Sequence, residues 1–166
     1  MYKHINDMKY ISTRGDGRKL SASQAILKGL ADDGGLFMPE KLPVFDFELK
    51  DLVGRDYKNT AYRIMRLYFT DYSEDELKEC IDKAYDGKFD TESIIDIKHA
   101  CGAFYIELFH GATIAFKDMA LSILPHLMKV AAKKNNIHGR IVILTATSGD
   151  TGKAAMSGFA DVEGTR

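Results

Sequence analysis

The sequence predicts an α/β protein, with a mainly helical N-terminal domain over residues 1–92 followed by the start of a parallel-sheet domain over 93–166. Three features carry that reading. Two capping boxes open amphipathic helices in the first part of the chain. The hydrophobic period changes from helical to strand-like after Thr91. An apolar run of strand length at 140–147 then passes through a Gly-rich turn into another helix, which is the grammar of a parallel sheet.

The first capping box is Ser21-Ala-Ser-Gln24, where the Ser hydroxyl and the Gln side chain can each satisfy a free amide of the first turn. A helix is expected from there to about Asp33, stopped by Gly34-Gly35, and Pro39 and Pro43 keep the following segment extended. A short helix or turn is expected between Glu48 and Lys58. From Asn59 or Thr60 a further helix carries Ala61, Ile64, Met65 and Tyr68 as a stripe to bury. The second box, Ser73-Glu-Asp-Glu76, opens a helix with Leu77, Ile81 and Ala84 on one face, ending near Gly87.

After Thr91, Ile94 to Lys98 and Ala103 to Phe109 are rich in β-branched and aromatic residues and read as two strands with a tight connection. Residues 116–136 have a buried helical face, with a kink or irregular turn expected at Pro125. Arg140 to Thr147 reads as a strand, Ser148 to Gly152 as a loop, and a helix follows from Thr151 or Gly152 to about Ala160.

Composition narrows the function classes. Hydrophobic residues make up 45% and charged residues 28% of the 166 positions, as in globular proteins with a packed core. The 23 Lys and Arg nearly balance the 24 Asp and Glu, and no run of one sign offers a footprint for nucleic acid or anionic lipid. MYKHINDMKY lacks the apolar core of a signal peptide, and no apolar stretch approaches the roughly 18 residues that cross a bilayer. A cytoplasmic enzyme is expected. Cys80 and Cys101 are too few for a disulfide framework, and the five histidines fall at no metal-ligand spacing, so no metal is expected.

Two segments remain as carriers of chemistry. Ser148-Gly149-Asp150-Thr151-Gly152 sits where a strand hands over to a helix, and free amides at a helix N-terminus suit a phosphate or carboxylate. The same residues would equally form a tight turn that only caps the helix. Gly152-Lys153 is no P-loop, because Thr147 stands where the first Gly should be and Ala154 where the magnesium-binding hydroxyl should be. Lys153 therefore reads as a solvated lysine. The second segment, Leu108 to Asp118, places Lys117 at the start of an amphipathic helix behind Ile114, Ala115 and Phe116, where burial would favour the neutral amine that Schiff-base chemistry needs.

Together ELFHGATIAFKD and ILTATSGDTG resemble the two most recognisable stretches of the threonine synthase family, pyridoxal-phosphate enzymes of the tryptophan-synthase-β, or type II, fold. YISTRGDG (Tyr10 to Gly17) and GLADDGGLFMPEKLP (Gly29 to Pro43) are similar to the N-terminal region of that family. The resemblance implies pyridoxal 5'-phosphate as cofactor and O-phosphohomoserine and water as substrates, giving threonine and phosphate. It implies that Lys117 bonds covalently to the cofactor and then shuttles protons, that Phe116 packs by the ring, and that Ser148, Gly149, Asp150, Thr151 and Gly152 lie beside the cofactor, with Ser148, Thr151 and the amides near Gly149 and Gly152 gripping the substrate carboxylate and Asp150 near the cofactor's 3-hydroxyl. Asp150 stands where many relatives carry Asn, and Ala112 where the motif commonly has Pro. Asp118 reads as a helix cap, and His110 as a strand-end histidine satisfied by backbone or, alternatively, a group reaching the substrate phosphate.

Family members run to several hundred residues, so this chain reads as an N-terminal fragment, inactive alone, without the glycine-rich loop that would hold the cofactor phosphate. Self-association through exposed sheet edges is expected of such a fragment. The alternatives are another type II pyridoxal-phosphate lyase, such as a threonine dehydratase or cysteine synthase, and a non-catalytic anion-binding module.

Overall fold

The computed structural model describes residues 7–166. The N-terminal reading of MYKHINDMKY as lacking a signal peptide, and His4 with it, falls largely outside them. Two compact units form, each assembled from separated stretches: 7–55, 59–79 and 127–138 in the first, and 56–58, 80–126 and 139–166 in the second.

The first unit begins with an antiparallel pair, β1 (Tyr10–Ser12) and β2 (Phe37–Pro39), in the register Tyr10 opposite Pro39 and Ser12 opposite Phe37. Helix α1 (Ala22–Lys28) lies between them in sequence, and its capping box forms as expected, with Ser21 Oγ accepting from the Gln24 amide and Gln24 Oε1 accepting from the Ser21 amide. The helix stops five residues short of the expected Asp33. Gly29 takes a positive φ of 71° and turns the chain, and Asp33 serves instead as acceptor for the Ser12 hydroxyl and the Gly35 amide.

A short 3-10 turn at Leu49–Leu52 precedes α2 (Tyr57–Met65). The second capping box opens α3 (Glu74–Ala84): Glu76 Oε2 accepts from the Ser73 amide at 2.8 Å and Ser73 Oγ from the Glu76 amide at 3.2 Å. Within the first unit Ala22, Ala25, Ala31, Leu67, Tyr72, Leu77, Leu127 and Ala131 are buried, and Tyr72 donates its hydroxyl to the Leu127 carbonyl at 2.9 Å. Glu76 also pairs with Lys134, at 2.8 Å.

In the second unit the predicted strands form a hairpin, β3 (Asp96–Ala100) and β4 (Ala103–Glu107), with Asp96 opposite Glu107 and Ala100 opposite Ala103. Its two-residue turn needs left-handed backbone at both positions, and Cys101 (φ 50°) and Gly102 (φ 74°) supply it. The long helix expected over 116–136 is broken into α4 (Asp118–Leu121) and α5 (Leu124–Lys134), the break falling just before Pro125. Helix α6 spans Asp150–Phe159. Ile81, Ala84, Tyr85, Phe89, Ile94, Ile123, Ala154, Ala155 and Phe159 are buried, and the Tyr85 hydroxyl donates to the Met119 carbonyl at 2.8 Å.

The run 140–147 is extended but is not a full strand. Among the described residues its backbone bonds to a neighbour only through its first part: Ile141 N–H to Gly164 O, Arg166 N–H to Ile141 O and Ile143 N–H to Arg166 O, a parallel pairing across α6. This is a minimal β-α-β crossover, the repeating unit of a parallel sheet. No helix among the described residues is long and apolar enough to cross a membrane.

Candidate active site

The loop before Lys117 is shaped by one buried carboxylate. Asp118, the first residue of α4, is 3% exposed. Its carboxylate accepts the Thr113 amide at 2.8 Å and the Thr113 hydroxyl at 2.7 Å. The loop can fold that tightly because residue 111 is Gly: a Cβ there would lie 2.5 Å from the Asp118 Cβ, far inside van der Waals contact. Asp118 therefore does more than the cap expected of it. It ties down the segment that leads to Lys117.

The turn is strained at its centre. Ile114 has φ 61°, an uncommon conformation for a β-branched residue, and its side chain is largely exposed. Three residues on, Lys117 occupies the cap position of α4 and is half-buried, with its ammonium 4.4 Å from the centre of the Phe116 ring. Phe116 is 63% exposed. Among the described residues the Lys117 ammonium meets no carboxylate.

Ser148, Gly149, Asp150 and Thr151 are exposed, whereas Gly152 is buried. Thr147 organises this loop, its Oγ1 accepting the Gly149 amide at 3.2 Å and the Gly152 amide at 2.9 Å. A Cβ on Gly152 would sit 2.7 Å from that oxygen, so the turn requires glycine there. The Gly149 cap supplies no side-chain acceptor, and the first helical hydrogen bond is Lys153 N–H to Gly149 O. The amides of Asp150 and Thr151 precede it and have no acceptor within the helix.

The two segments are joined twice. Helix α6 lays Gly152, Ala154, Ala155, Gly158 and Phe159 inward, and Gly158 allows an approach so close that a Cβ would come within 2.2 Å of the Leu121 carbonyl oxygen in α4. Lys153 reaches across to donate its ammonium to the Thr113 carbonyl at 3.1 Å. Lys153 is exposed on the first turn of α6, as the sequence reading expected, and makes this bond in addition, which no spacing rule signals.

His110, three residues beyond β4, has its ring held by carboxylates, Nδ1 meeting Asp90 Oδ1 at 2.5 Å and Nε2 meeting Glu107 Oε2 at 3.2 Å, while its backbone carbonyl accepts the Asp90 amide at 3.0 Å. The Asp90 hydrogen bond, opposed by desolvation and helped by Glu107, moves the imidazole above its ordinary 6.5. Asp96, Glu107 and His110 bring three ligand-type atoms within 4.8 Å of one another, a grouping that sequence spacing did not show. Lys98 and Asp90 already pair with its members. A hollow of ≈ 400 Å³ lined by Tyr85, Asp86, Phe89, Asp90 and Glu92 includes neither Lys117 nor the Gly-rich loop.

A family model described as "Threonine synthase N terminus" matches residues 9–85. Threonine synthase of Pseudomonas aeruginosa is 42% identical over 155 residues, an alignment that covers 91% of this chain and 32% of that protein. Among solved structures, the PLP-bound threonine synthase from Brucella melitensis superposes with a TM-score of 0.87 at 35% identity, over 95% of this chain and 34% of that one. The chain matches the N-terminal region of the threonine synthase family. Threonine synthase from yeast gives a TM-score of 0.85 at 31% identity over 98% of the chain and 35% of its own. The chain thus spans about a third of the length of the threonine synthases it matches, and the α/β reading of the fold holds with them.

Proposed function

We propose that this chain serves a pyridoxal-phosphate-dependent lyase, a threonine synthase converting O-phosphohomoserine and water to threonine and phosphate. Because the chain spans about a third of the relatives it matches, the activity is proposed for a protein that also carries the remainder. Residues 1–92 would be its helical N-terminal domain and 93–166 the opening of its cofactor domain. The observation that carries the reading is the bond from Lys153 to Thr113, which fastens the Lys117 loop and the Gly-rich loop to each other in a fold similar to a PLP-bound relative.

The donor chemistry fits the cofactor. Lys117 offers an amine engaged by no carboxylate among the described residues, and α6 offers two amides without helical acceptors. Lys117 would hold the cofactor covalently, Phe116 would pack beside it, and Ser148, Gly149, Asp150, Thr151 and Gly152 would line its edge. When bound, pyridoxal phosphate supplies an electron sink for charge that develops on the substrate carbons. Lys117 Nζ then takes and returns protons at the substrate Cα and its neighbouring carbons. The amides of Asp150 and Thr151, with the Ser148 and Thr151 hydroxyls, hold the substrate carboxylate at the positive end of α6.

The test is to add pyridoxal phosphate to the full-length protein, fix the adduct with borohydride and map the modified residue. Labelling at Lys117 together with turnover of O-phosphohomoserine supports the proposal. Labelling at another lysine, or turnover of threonine or O-acetylserine in its place, sinks it.

A further inference from the structure

The strained turn before Lys117 needs something to hold it, and the structure supplies two fastenings. Thr113 is 6% exposed, and all three of its polar groups are engaged: the amide and the hydroxyl by Asp118, the carbonyl by Lys153. Ile114, the next residue, has the left-handed backbone that a β-branched side chain disfavours, a strain met by the surrounding contacts. Asp118 acts from within the same loop, five residues along. Among the described residues Lys153 alone acts from another element, forty residues away on the first turn of α6.

We propose that Lys153 is a positioning residue, whose ammonium grips the Thr113 carbonyl and thereby sets the aim of Lys117 relative to the Gly-rich loop. This rests on the reading of Lys117 as the cofactor lysine. A lysine suits the role because an ammonium on a flexible stem reaches a carbonyl that no side chain of its own loop can serve, and a hydrogen bond from a charged donor is stronger than a neutral one. Lys153 acts through the backbone between Thr113 and Lys117.

The experiment compares Lys153→Met and Lys153→Arg with wild type in the full-length protein. One readout is the rate at which pyridoxal phosphate labels Lys117, fixed by borohydride and mapped by mass spectrometry. The other is hydrogen exchange of the amides from Gly111 to Asp118. Lys153→Met is expected to slow labelling of Lys117 about tenfold, the equivalent of one charged hydrogen bond, and to speed exchange in the loop. Lys153→Arg, which keeps a charged donor, should restore both. Labelling at the wild-type rate in Lys153→Met overturns the proposal while leaving the Lys117 reading intact, and wild-type labelling at a different lysine overturns that reading instead. If Lys153→Met does not fold, Lys153→Gln is measured in its place, and collapse of both overturns the proposal by making Lys153 a structural residue.

Discussion

Replacing Asp118 with Ala should strip the acceptor from two buried donors at once. In the native loop the carboxylate takes the Thr113 amide at 2.8 Å and its hydroxyl at 2.7 Å, with both residues almost fully buried. A hydrogen bond to a charged acceptor contributes about 1.5–3 kcal/mol, and a buried donor left without a partner costs about 1–3 kcal/mol. The two donors share one acceptor and can relax together, so the expected loss is about 3–5 kcal/mol rather than the full sum. Asp118→Asn keeps one oxygen but turns an NH2 group toward Thr113, and should lose about 2–3 kcal/mol. Denaturant unfolding followed by circular dichroism gives the energy, and hydrogen exchange of the Thr113 amide gives the location. An Asp118→Ala protein within about 0.5 kcal/mol of wild type, the range of an ordinary surface substitution, would refute the clamp. So would a Thr113 amide that stays protected in that variant.

Gly158→Ala places a methyl group where only 2.2 Å separates it from the Leu121 carbonyl oxygen, so α4 and α6 must move apart, and a loss of about 1–3 kcal/mol is expected in thermal melting. The His110 imidazole is raised above 6.5 by Asp90 first, so its contribution to stability is complete below pH 6.5 and lost as pH rises through the higher folded value. Asp90→Asn should flatten that limb in melting curves recorded across neutral pH. Burial, with Asp71 and then Tyr68 adding to it, pushes the Tyr10 phenol from 10.0 up to about 12, so its contribution holds below pH 10.0 and fades through about 12. Tyr85, Tyr57 and Tyr62 are also pushed up by burial, so Tyr10→Phe should remove one tyrosine's share of the late part of the absorbance titration; an unchanged late amplitude would count against the burial argument.

Local signals in the sequence placed the elements whose causes are local. Ser21-to-Gln24 and Ser73-to-Glu76 each carry the whole instruction for a helix start, and both boxes form. Leu77, Ile81 and Ala84, spaced for one helix face, are all at most 1% exposed. The two β-rich runs were legible as a hairpin, but the connection expected over His99 to Gly102 shrinks to Cys101-Gly102, because His99 and Ala100 pair with Phe104 and Ala103. The α1 stop was misplaced because Gly29 competes with Gly34-Gly35 for the same role, and only the pairing of the Asp33 carboxylate with Ser12 decides between them. The run 140–147 looked like a strand because apolar pattern sets backbone preference, but a strand is completed by its neighbours, and among the described residues only 164–166 form backbone bonds with it. The motif loops were legible as candidates. The Asp118 clamp and the Lys153 bond were not, because each depends on where a side chain ends after the chain has folded back.

The left-handed backbone of Ile114 also marks where improving this protein would work against it. A search for stabilising substitutions would favour Ile114→Gly, since glycine adopts that conformation without the clash a branched side chain suffers. The gain would come with a looser hinge, because glycine adopts many other conformations just as readily. Sequence optimisation that scores only thermal resistance would thus select softness three residues from Lys117, where a stiff turn is what keeps an amine pointed in one direction.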